Sequence, residues 1–110
     1  MAKNDYYVIA YRILIYLYEC LKCGEEVDKN IISAEALHIV PSYWDYIIIH
    51  LYEDGYIEGV KVISALGGKC VRIQPELQIT PKGIEFLQEN STMSKAKEFL
   101  KSLKETIPGI

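Results

Sequence analysis

Residues 43–60, YWDYIIIHLYEDGYIEGV, change period halfway along. Up to Tyr52 the side chains of Trp44, Ile47, Ile48 and Leu51 follow i, i+3, i+4, i+7, the spacing of one helix face. From Tyr56 to Ile63 the chain is rich in β-branched residues, which suit a strand. Asp54-Gly55 signals a two-residue hairpin only where alternating apolar residues flank it, and the upstream side does not alternate. Gly55 is therefore expected in the left-handed conformation just past a helix end, as a helix-to-strand joint. Glu53, Asp54 and Glu58 then read as solvated charges around a turn. No nucleophile, phosphate-binding glycine loop or metal cluster stands near them.

That joint orders the rest of the chain. The strand's partner is Cys70–Ile73, beyond a turn at Gly67-Gly68, with Pro75 ending the second strand and Gly59 marking a bulge. Upstream, a first helix starts from Asn4 or Asp5 and runs to about Lys22, with Gly24 closing it. Ile9, Ile13, Tyr16, Leu17 and Cys20 make one apolar face; Val8, Tyr11, Ile15 and Tyr18 make another almost opposite. A helix apolar all round needs cover on both sides, from a second element or a second subunit. A short helix follows at 34–38, with Ser33 as N-cap and Ile32 and Leu37 placed as a hydrophobic staple. Pro41 is expected to stop it, and Ser42 with Asp45 to open the next helix as a capping box. Downstream, Thr80-Pro81 starts a helix carrying Ile84, Phe86 and Leu87, with a break near Asn90-Ser91. A last helix shows Met93, Ala96, Phe99, Leu100, Leu103 and Ile107 near seven-residue spacing, stopped by Pro108-Gly109.

Three helices, a hairpin and two more helices describe a small α+β winged helix in one domain, 1–110. Its parts are the first helix (1–23), a helix-turn-helix (33–54), a β-hairpin wing (56–73) and two C-terminal helices (80–107). Three blocks carry a resemblance: ILIYLYECLK, YWDYIIIHLYEDGYIEGV and ITPKGIEFLQENSTMSKAKEFLK. Together they resemble the YjcQ-like family of small bacterial and prophage proteins, over essentially the whole chain. The resemblance implies a winged helix and carries no established chemistry. The Thr-Pro-x-Gly helix after the wing is also similar to that of winged-helix transcription regulators, which dimerise through their terminal helices.

Several classes of function are disfavoured by composition and spacing. Half of the 110 residues are apolar and a quarter charged, as in soluble globular proteins. Arg12, Glu19 and four tyrosines interrupt the apolar run of residues 6–21, so no membrane helix is expected and the cytoplasm is the expected compartment. Cys20 and Cys23 form one C-x2-C pair without the second pair that a zinc site needs, so no metal and no cofactor is expected, nor an enzyme. Two binding classes remain, and a DNA-binding protein, a transcriptional regulator of phage or prophage type, is the first expectation. Double-stranded DNA would be met by Tyr43, Tyr46 and His50 on the recognition-position helix and by Lys61, Lys69 and Arg72 on the wing. Against it, the outward positions of that helix (Tyr43, Asp45, Tyr46, Ile49, His50 and Glu53) hold no Lys or Arg. Residues 1–60 carry four Lys/Arg against ten Asp/Glu, while 61–110 carry eight against five. The other class is a protein partner on Tyr46 and Ile49, with a homodimer through Val8, Tyr11, Ile15, Phe99 and Leu103.

Overall fold

The computed structural model describes residues 6–90. In chain order these form α1 (Tyr6–Cys23), a 3-10 turn (Lys29–Ile32), α2 (Ala34–Leu37), α3 (Pro41–Glu53), β1 (Ile57–Ala65), β2 (Gly68–Ile79) and α4 (Pro81–Glu89). Among the described residues the fold is thus mixed α+β, four α-helices with one antiparallel hairpin. The Asn4/Asp5 cap, the helix expected over Met93–Ile107, and Phe99 and Leu103 lie outside the described residues.

α1 is the centre of the core. Its first face, Ile9, Ile13, Tyr16, Leu17 and Cys20, is completely buried. The second face is covered too, by elements of the same chain: Val8 and Tyr11 are buried, Ile15 and Tyr18 half-buried. The Phe86 ring of α4 lies 6.5 Å from that of Tyr11. Tyr11, only 3 % exposed, and Val8 therefore need no second subunit to cover them, contrary to the expectation that placed them at a dimer interface. Gly24 (φ +67°) closes the helix. Its N–H donates to Leu21 O (3.4 Å) and that of Glu25 to Cys20 O (2.9 Å), the paired bonds that satisfy end carbonyls.

Two aromatics hold the polar stretch after α1, buried Tyr16 of α1 and half-buried Trp44 of α3. Asp28 N–H donates to the Tyr16 hydroxyl (2.7 Å), and Trp44 Nε1–H donates to Ile32 O (2.7 Å). Between these anchors the chain makes the 3-10 turn, which no apolar periodicity announces. Ser33 caps α2 by accepting from Ala36 N–H (3.1 Å), as its spacing predicts. The start of α3 differs from expectation. Pro41 opens the helix as its first residue rather than stopping the one before, because a missing N–H costs nothing there and its φ is already helical. Ser42 thus falls inside the first turn, the cap residue is Val40 without a side-chain bond, and the Ser42–Asp45 box does not form.

At its other end α3 closes as the joint predicts. Gly55 has φ +85°, its N–H donates to Tyr52 O (3.1 Å), and Tyr56 N–H reaches Leu51 O (2.9 Å). The hairpin that follows is longer than expected. Its turn is Leu66-Gly67, with Gly68 already paired to Ala65. Pro75 does not end β2. The ladder pairs Val60 with Ile73, skips, and resumes with Glu58 opposite Gln78 and Ile57 opposite Ile79. Gly59 and residues 74–77 form the resulting bulge, where a proline owes no ladder hydrogen bond.

Thr80 ties the hairpin to α4. Its Oγ1 accepts from Gly83 N–H (3.2 Å) and donates to Gly55 O (2.5 Å), so one hydroxyl joins the α4 cap to the end of α3. Thr80→Ala is expected to cost about 1–2 kcal/mol, the usual loss for a helix cap plus a part-buried bond. Urea unfolding with unchanged slope would report it, and Thr80→Ser should retain most of the stability.

Candidate functional site

α3 divides two concave surfaces. On one side a cleft of about 440 Å³ is lined by Tyr6, Tyr43, Tyr46, Tyr56 and Phe86 with His50 and Asp54. On the other a groove of about 380 Å³ runs between α3 and the hairpin, lined by Ser42, Asp45, Tyr46, Ile49, His50, Glu53 and Lys69. Tyr46 and His50 border both. They lie one turn apart on α3, so their rings meet at 4.1 Å between centroids and 31° between planes. His50 Nδ1–H donates to Tyr46 O (2.9 Å), which holds the ring against the preceding turn of α3.

The positions expected on the outward side of α3 divide between surface and core. Tyr46 is 52 % exposed and His50 and Tyr43 are half-buried. Ile49, expected to stand exposed beside Tyr46, is 7 % exposed. The hairpin folds back along α3 and covers it, so Ile49 forms the apolar floor of the groove rather than a projecting knob. Asp45 and Glu53 border that floor, and burial raises the Asp45 carboxyl above the usual aspartate range.

The three basic residues of the hairpin do not form one patch. Lys61 is paired with Arg72, and Ser64 with Lys69. Side chains alternate along a strand, so Lys61 and Arg72 share one face while Lys69 shares the other with Val60, Val62, Val71 and Ile73, which pack on the core. Lys69 accordingly reaches Glu53 at 3.7 Å, an exposed pair of little energetic worth. Lys61 and Arg72 point away from α3. Leu66, at the tip of the turn, is fully exposed.

Comparison with protein families decides the chain's relationship: the model of the YjcQ protein family matches residues 11–106. The chain belongs to the YjcQ family. Comparison with curated proteins and with solved structures returns no match. In this YjcQ-family chain no helix among the described residues is long and apolar enough to cross a membrane. Among those residues, too, no three His, Cys, Asp or Glu side chains gather as a metal site would require. Cys20 is buried on the core face of α1, with its thiol raised by burial, while Cys23 is exposed at the helix end.

Reading the residues in order did not find the tyrosine cleft, since its walls come from α1, α3, the joint and α4. The one available signal was the count of nine tyrosines against two phenylalanines. Burial raises the hydroxyls of Tyr6, Tyr11 and Tyr16, that of Tyr6 to about 12 with a further contribution from Asp54. A pKa raised on folding means that the unfolded chain loses its protons first. Stability is therefore intact below pH 10.0, the ordinary tyrosine value, and falls as pH rises toward 12. Thermal unfolding across that window should show a falling midpoint, with a shallower fall in Tyr6→Phe.

Proposed function

We propose that this YjcQ-family chain is a winged-helix protein whose groove between α3 and the hairpin binds a basic segment of a protein partner, not DNA. The observation that carries this is the composition of α3: from Pro41 to Glu53 it has no Lys or Arg, and its groove side presents Asp45 and Glu53. In the winged-helix reading α3 is the recognition helix, which in a DNA reader meets a phosphate lattice and needs basic side chains. Here two carboxylates would meet it, Asp45 and a Glu53 that stands beside Lys69.

The same features suit a peptide carrying cations between apolar side chains. Ile49 provides an apolar floor, the Tyr46 ring an exposed amphipathic wall, and Asp45 and Glu53 counter-charges at the rim. Fully exposed Leu66 at the hairpin tip adds apolar contact area where a DNA-binding wing would place a cation. A second reading rests on one specific observation, the Lys61–Arg72 pair on the outer hairpin face, which could track a phosphate backbone.

The two readings separate in solution. A short peptide of alternating lysine and leucine should bind saturably, shifting the amide resonances of Asp45, Tyr46 and Glu53, and Asp45→Asn with Glu53→Gln should weaken it several-fold. Peptide shifts confined elsewhere, together with duplex binding lost in Lys61→Ala and Arg72→Ala, would favour the DNA reading instead.

A further inference from the structure

We propose that the tyrosine cleft on the other side of α3 binds a small organic cation, a quaternary ammonium head or one like it, with Asp54 as counter-charge. The walls are aromatic rings set at angles to one another. Tyr6 and Tyr46 stand nearly perpendicular (82°) with centroids 6.2 Å apart, and Tyr56 and Phe86 meet at 5.5 Å and 44°. Aromatic faces carry the negative side of the ring quadrupole, so rings around a cavity attract a cation and tolerate its poorly hydrated methyl groups. One of these rings already carries such a contact: Lys82 Nζ lies 5.4 Å from the centroid of Tyr56, without its side chain lining the cleft.

Charge gives the sign independently of the rings. Asp54 lines the cleft, and no Lys or Arg is among its lining residues. Asp54 is also the C-terminal cap of α3, whose partial negative end therefore lies at the same wall. The Tyr6 hydroxyl is raised first by burial and second by the charge of Asp54, so that charge reaches the rings of the cleft. An anion is disfavoured on both counts, and a neutral apolar ligand would leave Asp54 unused. A volume of about 440 Å³ falls in the range of small-molecule sites and exceeds what a single methylammonium group fills, so the ligand carries a tail beyond its charged head.

This site differs from the peptide groove in its carboxylate, Asp54 as against Asp45 and Glu53, so each can fail alone. The test titrates the whole chain with choline and with 3,3-dimethylbutan-1-ol, its neutral isostere, following amide resonances of Tyr6, Tyr46 and Tyr56. Choline should saturate in the millimolar range, with the isostere at least about tenfold weaker, as a difference near 1.4 kcal/mol requires. Asp54→Asn should weaken choline several-fold and leave the isostere unchanged, while Asp45→Asn should alter neither. Equal binding of choline and isostere, or no saturation by choline at about 50 mM, overturns the proposal without reference to any variant.

Discussion

Gly59→Ala should be among the most damaging single substitutions in the hairpin, destabilising the protein by about 2–5 kcal/mol and lowering its thermal midpoint by roughly 10–20 °C. Two causes act together. Gly59 has φ +87°, a conformation that costs an L-residue about 1–2 kcal/mol. A Cβ at that position would also lie 2.5 Å from Leu77 N and 2.6 Å from Glu76 C, and these are backbone atoms that cannot swing aside. The bulge itself depends on that approach, since the four residues of β2 from Gln74 to Leu77 pass opposite Gly59 alone. Other glycines calibrate the effect. Gly24 has φ +67° but open space around it, so Gly24→Ala should cost only the conformational part, near 1 kcal/mol. Gly67, at the hairpin turn, has neither constraint, and Gly67→Ala should be within about 0.5 kcal/mol of neutral. Calorimetry of the three variants would check this order. A Gly59→Ala variant as stable as Gly67→Ala would mean that the bulge is not formed.

The second large effect concerns charge on α3. Asp45→Lys with Glu53→Lys replaces both groove carboxylates by cations and frees Lys69 from its pairing with Glu53. The helix would then face a duplex with a basic row, and non-specific DNA affinity should rise at least about tenfold at low salt, with the steep salt dependence of released counterions. Binding of the lysine–leucine peptide should be lost in the same variant. Both substituted positions are at the surface or half-buried, so the fold should persist, and an unchanged amide spectrum outside α3 and the hairpin tip would verify it. Failure to gain DNA binding would indicate that shape rather than charge keeps a duplex off this face.

Local signals placed the elements well where one residue type has a single conformational role. Gly55 after a helical run, Ser33 three residues before Ala36 N–H, and Thr80 before Pro81 each act as their sequence positions imply. Pro41 and Pro75 were harder, because proline has two readings. It stops a helix or starts one, and it ends a strand or occupies a bulge; packing of the flanking segments decides which. Ile49 shows a related limit. Helical phasing placed it outward correctly relative to the α3 axis, but the hairpin covers that side, and tertiary cover is invisible to a periodicity. The tyrosine cleft lies further still from sequence, since four separate segments build it. The division of Lys61 and Arg72 from Lys69 follows from strand alternation, and the shift of the turn from Gly67-Gly68 to Leu66-Gly67 leaves it unchanged.

The most direct discrimination between a protein-binding and a DNA-binding groove is a pair of anisotropy titrations of the wild-type chain. One uses a labelled random-sequence duplex and the other the labelled lysine–leucine peptide, each at low and moderate salt. A basic-segment reader gives a flat duplex curve at both salts and a saturable peptide curve. Saturable duplex binding that weakens with salt, beside a flat peptide curve, would contradict it.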